Sequence, residues 1–111
     1  WIGVCERLRA GSVTMDSFNM SPLRSLSAEQ LLLIADEVCR SERVSVVNYG
    51  FVAAAAAVTG AQFDGVPVFQ SVRAARKSLE QAIVLLEPLS GANRVFARVA
   101  GEVFARINDE V

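Results

Sequence analysis

The alternation of apolar and polar positions divides the chain into four helical stretches separated by short breaks. The first opens at Leu26-Ser27-Ala28-Glu29-Gln30-Leu31. There Ser27 can accept from the amide of Gln30 while Gln30 reaches back, and Leu26 can staple onto Leu31, a combination that starts helices. Leu31, Ile34, Ala35 and Val38 then share one face with Asp36, Glu37 and Arg40 opposite, which predicts an amphipathic helix to about Arg40. Val44, Val46 and Val47 form a short extended or turn passage. Asn48 next offers a cap to a second helix through the alanines of residues 53–57, and Thr59-Gly60 offers its end, with glycine supplying a left-handed stop.

Between that stop and the next cap lie Gln62-Phe63-Asp64-Gly65-Val66-Pro67-Val68-Phe69-Gln70. Asp64-Gly65 is a turn signal between aromatic and branched residues, so a small β-hairpin or flap is expected, held to an edge position by Pro67, which has no amide to donate. Ser71 can cap a third helix with Val72, Ala75, Leu79, Ala82, Ile83 and Leu86 on its apolar face and Arg73, Arg76, Lys77 and Glu80 in its polar arc. Glu87-Pro88-Leu89-Ser90-Gly91 interrupts it. The fourth helix has the cleanest period: Val95, Phe96, Val99, Ala100, Val103, Phe104 and Ile107 make a core stripe, while Arg94, Arg98, Glu102 and Arg106 form a solvated row in which Arg98 and Glu102 can pair. The reading is an all-α fold of about four main helices with a small flap. Residues 1–24, with mixed polarity and the Gly11-Ser12 and Pro22 breaks, are expected as a tail or lead-in, Met15 as a native start, and residues 25–111 as one helical domain.

Composition narrows what this domain does. At 111 residues it holds one core. There is no histidine, so any catalysis proceeds without an imidazole base. A formal charge of −1 supplies no positive field for a phosphate backbone, which argues against nucleic acid. Charged residues make up only 21%, so part of the exterior is expected to be apolar and partner-covered. Cys5 and Cys39 have no close cysteine neighbour, which excludes a sequence-local zinc or redox motif; Cys39 is expected to be a packing residue. The longest apolar runs fall short of the ~20 residues that span a bilayer, and a cytoplasmic protein is expected.

The order of helix, short connection, alanine-rich helix, flap, basic-faced helix, Pro-containing loop and long apolar helix resembles the Fic/Doc (death-on-curing) family, in particular the Doc-type toxin components of bacterial toxin–antitoxin pairs. Leu26-Ser27-Ala28-Glu29-Gln30-Leu31-Leu32 looks like the family's opening helix, Val47-Asn48-Tyr49-Gly50-Phe51-Val52 like its "V-x-D-x-G-L-L", and Phe63-Asp64-Gly65-Val66-Pro67-Val68-Phe69 like its "F-G-x-x-x-Y" flap. The resemblance spans residues 26–108. The family's signature loop reads H-P-F-x-(D/E)-G-N-(K/G)-R; the matching stretch is Glu87-Pro88-Leu89-Ser90-Gly91-Ala92-Asn93-Arg94-Val95. Pro88 and Asn93 agree, Leu89 is conservative and Arg94 keeps a positive charge. Glu87 stands at the histidine, Gly91 at the metal-binding acid, Ala92 at the first glycine and Val95 at the phosphate-binding arginine. A divergent actinobacterial branch with a "G-x-P-V-Y" flap and an "S-N-x-x-F-A" loop without the histidine is similar in Gly65-Val66-Pro67-Val68-Phe69 and Asn93-Arg94-Val95-Phe96-Ala97.

The resemblance implies a toxin component with a degenerate phosphate-binding loop. In the family the histidine takes a proton from a target hydroxyl as a phosphate-bearing group is transferred; a carboxylate such as Glu87 is a weaker base and repels phosphates. Glycine at position 91 cannot hold the magnesium ion. ATP and magnesium are the cofactors the family implies, with Asn93, Arg94 and the amides of the fourth helix as a residual cradle. Phe63, Val66, Val68 and Phe69 would form the target-binding flap, or simply cover the core. Expected partners are an antitoxin protein or another helical partner. Alternative readings are a non-enzymatic helical interaction module or regulatory pseudoenzyme and, third, a transferase using Glu87 with Arg94 on phosphate.

Overall fold

The computed structural model describes residues 23–63, 66–69 and 71–109, and at 62, 63, 66 and 67 the backbone alone. The assigned tail, Cys5 and the Met15 start fall outside them, apart from Leu23 and Arg24. Among the described residues four helices form in order: α1 (Ala28–Glu42), α2 (Tyr49–Val58), α3 (Val72–Leu86) and α4 (Asn93–Ile107). Gln62–Phe63 (β1) and Val66–Pro67 (β2) pair antiparallel, Gln62 opposite Pro67 and Phe63 opposite Val66. A ladder this short adds no sheet layer, and the fold is all-helical.

Local chemistry sets the helix starts. The α1 capping box is complete: Gln30 N donates to Ser27 Oγ at 3.1 Å and Ser27 N to Gln30 Oε1 at 2.8 Å. Asn48 Oδ1 accepts from Phe51 N and Ser71 Oγ from Ala74 N. Each such cap contributes about 1 kcal/mol by satisfying an amide that the helix leaves unpaired. The ends depart from expectation. The first helix runs past Arg40 to Glu42 and stops at Arg43, whose φ is 57° and whose amide donates to Cys39 O. The second helix does not end on a left-handed Gly60: Thr59 is right-handed, and single-turn bonds from Thr59, Gly60 and Ala61 to Ala56, Ala57 and Val58 tighten the exit. What Gly60 provides is room, since a Cβ there would lie 3.3 Å from Ser25 Cβ.

The expected apolar faces are the buried ones. Leu31, Ile34, Ala35 and Val38 of α1, Ala75, Leu79 and Ile83 of α3, and Phe96, Val99, Ala100, Val103, Phe104 and Ile107 of α4 make the core with Val52, Ala55 and Ala56 of α2. Phe96 and Phe104 are fully buried, each stabilising the fold by about 2–3 kcal/mol of transfer free energy. The charged row of α4 is exposed, but Arg98 and Glu102 form no ion pair with one another; ion pairs form instead between Arg40 and Glu37 and between Arg76 and Glu80. On an exposed helix face the entropy of holding two long side chains together cancels much of the attraction.

The lead-in is tied to the far end of the chain. Asn108 accepts from Arg24 N at 2.7 Å and donates to Arg24 O and Phe104 O, while Arg24 Nη1 reaches Ile107 O. Leu26 is buried, and its amide donates to Thr59 Oγ1 at 2.8 Å; that hydroxyl in turn donates to Ala56 O. Thr59 is thereby a buried polar side chain with both hydrogen-bonding roles met.

Candidate functional site

The loop between α3 and α4 carries the residues expected to matter. It leaves α3 at Glu87, which is exposed and left-handed with φ of 50°, its amide donating to Ile83 O. Pro88 and Leu89 then dive into the core. Pro88 O accepts from the amides of Val47 and Asn48, Ser90 N donates to Ser45 O at 2.8 Å, and Ser90 Oγ accepts from Ser45 N. Val46 and Leu89 form an antiparallel bridge. The extended passage before α2 therefore serves as a strap across the loop, bonded to it through backbone groups that side chains alone do not announce. A Cβ on Gly91 would meet Val44 Cγ1 at 3.3 Å, so the strap lies close at this position too.

Asn93 closes the loop on itself. Its Oδ1 accepts from Leu89 N and its Nδ2 donates to Leu89 O, both at 3.0 Å. Ala92, the residue before α4, is left-handed at φ 58° and ψ 29° and gives the helix no side-chain cap. The first intrahelical bond of α4 is Phe96 N to Ala92 O, which leaves the amides of Asn93, Arg94 and Val95 outside the helix ladder. A helix start of this kind favours an anion electrostatically, and the nearby arginines strengthen that preference; by itself it identifies no ligand.

Of the site residues expected from sequence, Glu87 and Arg94 come together: both line an open groove between α3 and α4, with Glu80, Gln81, Val84, Leu85, Ala97 and Arg98. They form no ion pair with one another. Asn93 is drawn into the loop instead. Val68 is exposed and its amide donates to Ala61 O at 2.9 Å, whereas Phe69 packs against the core; the side chains of Phe63 and Val66 lie outside the described residues. Sequence reading missed the groove's apolar members. Leu85 is 83% exposed, more than any other large apolar residue described, and Val84 beside it is 37% exposed. Their signal was present: two branched apolar residues off the α3 stripe, beside a stripe that already satisfies the core.

Against the magnesium-bound nucleotide that the resemblance implies, position 91 offers no carboxylate, and the exposed Glu87 carboxylate lies in the groove beside Arg94. No group of three His, Cys, Asp or Glu side chains clusters among the described residues. Cys39 is half-buried against the core; burial first, and the Asp36 carboxylate second, push its thiol above the ordinary value, which keeps it protonated and a poor nucleophile. Among the described residues no helix is long and apolar enough to cross a membrane. No family model, curated protein or solved structure matches the chain.

Proposed function

We propose that the chain is a Fic/Doc-like toxin component of a toxin–antitoxin pair in which the signature loop has become a structural brace, so that the domain works by binding proteins and lacks the family's transfer chemistry. The observation that carries this reading is the pair of hydrogen bonds between Asn93 and Leu89 in a loop where Ala92 is left-handed. The family pattern has glycine at that position, and a left-handed backbone is where glycine is favoured. The turn thus suits the family's motif while the chemistry does not. The amide that would face a nucleotide is engaged with backbone, the acid that would hold magnesium is absent, and the base has become a like charge to phosphate.

In this reading residues 62–69 keep the place of the flap, and the exposed side chain of Val68 is its contact for a target peptide. The antitoxin or another helical protein binds the outer surface. A non-enzymatic interaction module of other ancestry is the second reading, favoured by the solvent-facing Leu85.

Calorimetric titration of the full chain with ATP and magnesium tests the proposal. No saturable heat is expected up to about 1 mM nucleotide, an affinity limit near −4 kcal/mol. Saturable binding that disappears in the Arg94→Ala variant would overturn it and return the loop to nucleotide chemistry.

A further inference from the structure

The groove between α3 and α4 has a property that the loop chemistry does not use. The two helices are antiparallel neighbours, with Glu80 of α3 beside Gly101 of α4, and Glu87 and Arg94 at the end joined by the loop. Along this groove the ionised residues are Glu80 of α3 with Glu87 at its C-terminal cap, and Arg94 and Arg98 of α4. Glu80 is held by Arg76 at 3.3 Å, whereas Glu87, Arg94 and Arg98 have no ion-pair partner among the described residues. One wall is acidic and the other basic, with Val84 and Leu85 exposed in the same lining.

Such a face is complementary to itself. A two-fold axis running along the groove lays α3 of one copy over α4 of the other, so each acidic wall meets a basic one and the contact occurs twice. Glu87 of one copy then faces Arg94 of the other, and Leu85 lies over the turn of α4 that carries the small residue Ala97. We propose that this groove is a self-association surface, occupied by the same groove of a second copy in a two-fold dimer. The inference is independent of the function proposed above, since it rests on the charges and exposed leucine of two helices and not on the ancestry of the loop. Segregated charge of this sort fixes register and orientation, while the leucine supplies desolvation that rim charges lack.

Sedimentation equilibrium on the full chain tests it directly. The parent is expected to approach twice its 11.9 kDa mass as concentration rises, through a range of about 5–200 µM suited to a micromolar contact. Glu87→Arg and Arg94→Glu, each alone, place like charges opposite one another twice and should weaken association at least tenfold. Both positions are exposed, and the chain already holds an arginine in a left-handed helix cap at Arg43. Mixing the two variants restores opposite charges at both contacts, and the mixture should associate as the parent does. A parent monomeric throughout, whether because another segment or another protein occupies the groove, would overturn the proposal. So would single variants that dimerise like the parent, or a mixture that stays monomeric.

Discussion

At the scale of single residues, the backbone places left-handed conformations where the side chains do not favour them. Arg43, Glu87, Ala92 and Asp109 all have positive φ, and none is glycine. For a residue with a Cβ this conformation costs about 1 kcal/mol or more, tolerated because each position turns the chain out of or into a helix. Ala92 is the clearest case, having neither a polar side chain to offset the strain nor a cap to offer. Ala92→Gly is therefore expected to raise unfolding free energy in urea by about 0.5–1 kcal/mol, the relief being reduced by the entropy glycine adds to the unfolded chain. A loss of stability would mean that the Ala92 methyl makes packing contacts worth more than the strain. Thr59 shows the opposite economy: a threonine expected only to end a helix proves to be buried, with its hydroxyl bonded to the lead-in and to its own helix. Nothing in the local pattern marks it, because its partner Leu26 is 33 residues away.

At the scale of elements, α3 and α4 approach closely across Gly101. A Cβ there would come within 2.9 Å of Arg76 Nε and Glu80 Cδ, so the ion-paired side chains of α3 lie directly over the glycine. Helix propensity favours alanine over glycine by about 0.8–1 kcal/mol. The Arg76–Glu80 pair is roughly one-third exposed on each side, and a pair of this kind contributes about 0.5 kcal/mol or less. The atoms in the way, Arg76 Nε, Glu80 Cδ and Glu80 Cγ at 3.0 Å, all belong to side chains, which must rotate aside while the backbone stays in place. Gly101→Ala should then gain a few tenths of a kcal/mol in chemical denaturation, and a loss above about 1 kcal/mol would show that α4 had been displaced. The helices themselves were legible because their signals are local: caps at Ser27, Asn48 and Ser71, and a 3.6-residue stripe in α1, α3 and α4. The α2 alanines were harder, since Ala55 and Ala56 are buried while Ala53, Ala54 and Ala57 are exposed, and a run of one residue type carries no periodicity. The ends were least legible, as Gly60 illustrates: glycine was read as a conformational stop, whereas its small size lets Ser25 approach.

At the scale of the whole molecule, the helices close a ring. Each packs on the next in sequence, and α1 also packs on α4. The lead-in fastens both ends, through Leu26 to Thr59 and through Arg24 to Asn108. No helix pair can separate without exposing a core shared by all four, so unfolding should be a single cooperative transition. Native-state hydrogen exchange checks this: the slowest amides of α1, α3 and α4 are expected to share one opening free energy, and a distinctly lower value for α1 would show that the ring opens there first.

The sequence by itself determined the four helices, the buried faces of α1, α3 and α4 and three of the caps, because each depends on residue type and near neighbours. The absence of histidine removes imidazole chemistry wherever the chain runs. Tertiary structure alone decided what the remaining loop residues do. Asn93 reads as a ligand or as a brace until Leu89 is seen folded back onto it, and the valine passage reads as a connector until its backbone is found bonded to Pro88 and Ser90. The opposed charges of the groove likewise arise only when α3 and α4 pack antiparallel. Backbone hydrogen bonds across a loop and the charge on a helix pair depend on which distant segments meet, and a one-dimensional pattern holds no term for that encounter.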